Sequence, residues 1–180
     1  MTATASTVSI GRPNADEHLE YYSTYISKVP DGDLLSFLRE QTVETVALLQ
    51  GLTPVQADYA YAPGKWTVKQ VVGHIIDAER IFAYRALRIA RRDSTNLPGF
   101  DENAFVDNAN FNERTLPDLL EELQVVRAST IQLAKNLEPD AFARIGSSNG
   151  HAISVRALLY IIAGHERHHL LLLRERYLTH

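Results

Sequence analysis

Residues 154–178 read SVRALLYIIAGHERHHLLLLRERYL. The apolar positions recur at the spacing of an amphipathic helix, and Ser154 stands where an N-cap hydroxyl is expected. At about 100° per residue, His165 and His169 lie about 40° apart, on the face that carries Leu158, Ile162, Leu172 and Leu173. Both therefore point to a core. His168 turns about 60° away from His165, toward the edge of the stripe.

A helix this apolar needs other helices to cover it, and three more are legible. Residues 33–52, DLLSFLREQTVETVALLQGL, place Leu34, Leu35, Leu38, Val43, Val46 and Leu49 at helical spacing, which predicts a helix over 31–51 that stops at Gly51. Thr67 and Gln70 match a capping box, and Val68, Val71, Val72, Ile75, Ile76, Phe82, Ala86 and Ile89 follow on one stripe that ends near Arg91 and Arg92. Pro117 opens a third helix over 116–137 whose core residues are Leu119, Leu120, Leu123, Val126, Ile131 and Leu133.

Shorter elements are expected over 15–28 and 101–110, with a loop over 53–66 and a connector over 138–151. No stretch alternates like a half-buried strand at convincing length. The expected fold is all-α: a four-helix bundle with long crossover connections and short extra helices. Residues 1–14 contain Gly11 and Pro13 among small polar residues and read as a flexible tail, leaving 15–180 as a single domain.

Composition narrows the function classes. The 180 residues suffice for one core without staples, and 18 Lys plus Arg against 22 Asp plus Glu leave a net charge of −4, which disfavours a nucleic-acid partner. Cysteine is absent, so disulfides, thiolate nucleophiles and iron–sulfur clusters are excluded, and any thiol chemistry needs a thiol from outside. The N-terminus lacks the pattern of a secretory signal, and the longest apolar run, 157–163, is far below the about 20 residues of a membrane span. These features predict a cytoplasmic protein with no membrane partner. A homodimer paired through an exposed helix face is a further expectation.

Seven histidines are present. His18, His151 and His180 lie near the termini or in a connector and read as solvated or capping residues. His74 falls on the shoulder of the second long helix's stripe, beside Val71, Ala78 and Ile81, and points inward. Buried imidazoles need partners for both nitrogens, and a divalent metal held by the 165/169 pair plus one histidine from a facing helix would satisfy them. Zinc or nickel suits such a ligand set. An inward histidine is more often a satisfied core residue, and a closed metal site can be purely structural, so spacing leaves these readings open.

His165, Glu166 and His169 also spell H-E-x-x-H, the zincin signature in which the glutamate is a general base. Only 11 residues follow His169 and none completes the longer zincin form, which argues against a protease. Glu166 is left with two readings, a helper near the metal or an ion pair with an arginine.

Three segments together resemble the DinB-like, or YfiT-like, family of four-helix-bundle proteins: APGKWTVKQVVGHIIDAERIFAYRALRIARRD at 62–93, LPGFDENAFVDNANF at 97–111, and the C-terminal helix quoted above. With the helix of 118–137 the likeness spans about 31–178. The resemblance implies a divalent metal, commonly nickel or zinc, bound by His74, His165 and His169. It also implies chemistry known among relatives, namely transferases and isomerases that use low-molecular-weight thiols such as bacillithiol or mycothiol, and proteins described as metal-dependent hydrolases. The expected function is a metal-dependent transferase that activates a small thiol, or water, toward a small electrophile. The alternative is a non-enzymatic, stress-related bundle with a structural or sensory metal. Wheel position and loop context offer Asp77, Arg85, Glu102 and Asn103 as lining for a substrate pocket. Phe82, Tyr84 and Trp66 read as core aromatics.

Overall fold

The computed structural model describes residues 9–178. Among these described residues seven α-helices form: α1 (Ser23–Ile26), α2 (Leu34–Leu49), α3 (Pro54–Ala57), α4 (Val68–Ala90), α5 (Glu102–Asn108), α6 (Leu116–Lys135) and α7 (Val155–Arg176). The four long ones, α2, α4, α6 and α7, make the expected bundle, in which α4 packs on both α6 and α7 while α2 covers α6 and α7. Their starts are fixed by side chains that satisfy orphan amides. Asp33 accepts from Leu35 N and Ser36 N, Thr67 and Gln70 form the capping box, and Ser154 accepts from Ala157 N at 3.0 Å. Each such cap is worth about 1 kcal/mol.

Three features depart from the sequence expectations. A small sheet joins the long connections: β1 (Asn96–Leu97) pairs in parallel with β2 (Ile145–Ser148), which pairs antiparallel with β3 (His151–Ser154). The β2–β3 turn is Asn149-Gly150, both with positive φ (53° and 78°), the conformation that a two-residue hairpin demands and that Asn-Gly supplies at low cost. The strands are too short to show alternation, so the dipeptide was the available signal. The second departure is the N-terminal tail: residues 1–8 lie outside the described residues, but Ile10 is buried in the core and Arg12 donates to the carbonyls of Ile26 and Val29. Residues 9–14 are thus packed on the bundle. Third, the helix expected over 15–28 is broken into two 3-10 turns, Ala15–Glu17 and Glu20–Tyr22, followed by α1.

The apolar interior divides into two clusters, one gathered around the first half of α4 (Val68 to Ile76) and the other around its second half (Ala78 to Ala90). Between them lies a belt of buried polar side chains that includes Gln41, Thr45, His74, Glu79, Arg127, His165, Glu166 and His169. Burying so many polar groups costs free energy unless they partner one another.

Candidate metal centre

Two glycines set the approach to this belt, and each immediately precedes a histidine. A Cβ on Gly164 would stand 2.1 Å from the Tyr25 carbonyl oxygen, so only glycine lets α1 lie directly on α7 at His165. A Cβ on Gly73 would meet the Phe111 ring at 2.5 Å. The neighbours His74, His165 and His169 are all buried, and their ligand atoms lie within 4.8 Å of one another. His165 Nε2 is 3.0 Å from His74 Nε2 and 3.2 Å from His169 Nε2.

These distances test the fit of a metal. Nitrogens held about 2.0–2.1 Å from one tetrahedral cation stand about 3.3 Å apart, close to both spacings. Each Nε2 offers either one proton or one lone pair, so His165 Nε2 can satisfy only one of its two neighbours with a well-aligned bond. A cation accepts all three lone pairs at once. His169 Nδ1 is buried with no hydrogen-bond partner among the described residues, so Nε2 is the one nitrogen of this ring that meets other polar atoms there. Burial holds the His74 imidazole down at about 4 and pushes those of His165 and His169 well below 6.5. Neutral imidazoles are the form that binds metal. The three residues fit a divalent cation.

His168 stands apart from the three. It is half-buried, with its ring 5.5 Å from that of Tyr25 and 5.2 Å from that of His169.

Glu166 corrects the expectation of a helper at the metal. It is completely buried, and both oxygens are engaged away from the histidines: Oε1 accepts from Thr45 Oγ1 at 2.6 Å and Oε2 accepts from Arg127 Nη2. The partner is therefore a deep arginine from α6, not its neighbour Arg167, which pairs with Glu44. Arg127 also meets Glu79 through two bonds of 2.9 Å, and donates to Leu38 O at 3.0 Å and Thr42 Oγ1 at 3.2 Å. All five of its N–H donors are used. Although burial opposes its charge, the two carboxylates outweigh that penalty and hold the guanidinium ionised.

A cavity of about 140 Å³ adjoins the histidines. His74 and His165 form part of its wall, with Tyr21, Tyr22, Tyr25, Phe82, Arg85, Phe100, Glu102 and Asn149 among the remainder. Of the expected pocket residues, Arg85 and Glu102 line it. Asp77 and Asn103 do not: Asp77 lies toward Arg80 at 3.9 Å on the α6 side, and Asn103 is exposed in the first turn of α5. Phe82 is a cavity wall as well as a core residue, Trp66 lies 4.7 Å from the His74 ring, and Tyr84 is half exposed, outside the core. The three tyrosines and Asn149 carry no pattern in the sequence that marks them as lining. They arrive from the N-terminal segment and the hairpin turn, and the Asn-Gly dipeptide was the one local hint.

Comparison with known proteins agrees with this architecture. The model of the DinB superfamily matches residues 38–173, most of the chain. A protein of Oceanobacillus iheyensis that bears the name "putative metal-dependent hydrolase" is 26% identical over 149 residues, covering 79% of this chain and 84% of that protein. YfiT from Bacillus subtilis, described as "a probable metal-dependent hydrolase with an unusual four-helix bundle topology", superposes with a TM-score of 0.70 at 21% identity, covering 92% of this chain and 90% of that one. The matched region contains all three histidines, and the chain belongs to the DinB superfamily.

Proposed function

We propose that this protein is a divalent-metal-dependent enzyme that activates a small nucleophile, a low-molecular-weight thiol or water, for attack on a small electrophile. The observation that carries this reading is the meeting of three Nε2 atoms at the wall of a cavity, where His74 and His165 are both ligand candidates and lining. A purely structural site would be closed on all sides. A zinc or nickel ion there would lower the pKa of a coordinated thiol or water and so supply a nucleophile at neutral pH.

The chain's own residues set the conditions. His74, His165 and His169 hold the cation as neutral ligands. Phe82 and Tyr25 stand edge-on to the His165 ring, 6.1 and 5.3 Å between centroids, and restrict water on that side. Burial and the Tyr21 hydroxyl raise the Tyr25 phenol well above its ordinary pKa, so it keeps its proton and can donate a hydrogen bond. The absence of cysteine suits a mechanism in which the thiol enters as substrate. The cytoplasm, where such thiols stay reduced, is the proposed place of action. The relatives named as metal-dependent hydrolases support the water arm of the proposal.

The test offers the zinc- or nickel-loaded protein a small thiol with chlorodinitrobenzene, and separately p-nitrophenyl acetate, each before and after chelation. Metal-dependent conjugation supports the thiol arm and metal-dependent hydrolysis the water arm. Turnover lost on chelation with helicity intact separates a catalytic from a structural metal. Neither reaction responding to metal would defeat the reading.

A further inference from the structure

The cavity beside the histidines contains a second unusual group. Arg85 is only 4% exposed, yet it has no carboxylate partner among the described residues. One nitrogen, Nη2, donates to the Pro98 carbonyl at 2.6 Å, and the guanidinium is flanked by the rings of Phe82 and Phe100, 5.6 and 5.8 Å from Cζ. These contacts fix its position without neutralising its charge. Burial accordingly pulls its pKa below the ordinary arginine value, the reverse of what a carboxylate neighbour does. The contrast with Arg127, which has all five donors used and two glutamates against it, is direct.

We propose that Arg85 is the anchor for a carboxylate group of the substrate, so that the enzyme takes small organic acids and holds them with the opposite end toward the histidines. This rests on the reading of the three histidines as the reactive centre. A buried, unpaired guanidinium is costly, and a ligand anion is the partner that offsets the cost. Its free N–H groups suit the oxygens of a carboxylate. Among the described residues Arg85 is the one Lys or Arg side chain that lines the cavity, and Glu102 lies on its exposed side. The Phe82 ring lies 5.6 Å from Arg85 Cζ and 6.1 Å from the His165 ring, so the guanidinium and that histidine line one short stretch of the cavity, a span that suits a short acid. The walls supplied by Tyr22, Tyr25, Phe82 and Phe100 suit an apolar or aromatic body.

Calorimetric titration with benzoate and with its neutral counterpart benzamide tests the assignment, using protein as purified, zinc-loaded, and after chelation. The expected result is benzoate binding at least tenfold tighter than benzamide in every form, with that preference abolished in Arg85→Gln and kept at reduced affinity in Arg85→Lys. Metal content should be unchanged in both variants. No preference for benzoate in the wild type, or a preference that survives in Arg85→Gln, overturns the proposal; the latter would mean that the carboxylate sits on the metal. Should Arg85→Gln fail to fold, Arg85→Lys and the benzoate–benzamide comparison still decide, since a lysine variant with undiminished affinity also overturns it. Arg85-dependent binding in a protein that takes up no metal would refute the histidine reading while sustaining the anion site.

Discussion

Arg127 of α6 and Glu166 of α7 are paired at the centre of the bundle, with relative exposures of 1% and 0%. Glu79 closes the arrangement from α4, and Leu38 O and Thr42 Oγ1 accept from α2, so one guanidinium ties all four long helices together and carries a carboxylate on either side. Arg127→Ala would leave two buried carboxylates facing each other without a cation, and a loss of about 3–5 kcal/mol in unfolding free energy is expected from urea titration. Glu166→Gln keeps a hydrogen-bonding partner and leaves a neutral Arg127–Glu79 pair, so its loss should be clearly smaller. Metal content and turnover in Glu166→Gln should both match the wild type, because Thr45 and Arg127 engage the two carboxylate oxygens; a zincin-like general base would predict lost turnover at unchanged metal content.

The two glycines that precede ligand histidines differ in what they admit. Gly164 meets backbone, the Tyr25 carbonyl, which cannot rotate away, whereas Gly73 meets the Phe111 side chain. Gly164→Ala should cost about 3 kcal/mol and displace α1, with Gly73→Ala costing less. Thermal unfolding compares the two. Equal stability of Gly164→Ala and the wild type would contradict the close packing of α1 on α7.

Glu17 anchors the N-terminal segment to α7. Its hydrogen bonds with Arg156 are the largest influence on its carboxyl, which is lowered from 4.5 to about 2 against the opposing effect of burial. The unfolded chain therefore takes up this proton near 4.5 and the folded chain only near 2. The contribution to stability is present above 4.5 and is lost as pH falls from there through 2. Urea midpoints measured over this window for the wild type and Glu17→Gln should converge as the pH drops. A difference that does not shrink would refute the ion pair. Because Tyr21, Tyr22 and Tyr25 follow on the same segment, loosening it also disturbs the cavity wall.

The bundle was legible because its four long helices each announce an apolar stripe and a start signal: the caps Asp33, Thr67 with Gln70, and Ser154, and Pro117 in the first turn of α6. The convergence of His74 with His165 and His169 could be anticipated because inward positions on facing helices must meet somewhere in the core. Other parts left weaker traces. Arg127 falls inside the apolar stripe of its helix, between Leu123 and Ile131, but the sequence does not show the two glutamates, from 48 and 39 residues away, that offset the cost of burying its charge. Strands of two and four residues are too short for alternation to show, so periodicity does not mark the sheet that carries Asn149 to the cavity. Ile10 is one apolar residue among polar neighbours, and its burial is decided by the surface that α7 and its surroundings present to it, not by local pattern.

Metal analysis of the purified protein beside His74→Ala, His165→Ala and His169→Ala bears most directly on the centre itself. The account predicts about one zinc or nickel per chain in the wild type and a loss of at least tenfold in affinity in each variant, with helical content retained. A wild type that takes up no divalent metal, or variants that bind it as tightly as the parent, would contradict the assignment of these three imidazoles as ligands.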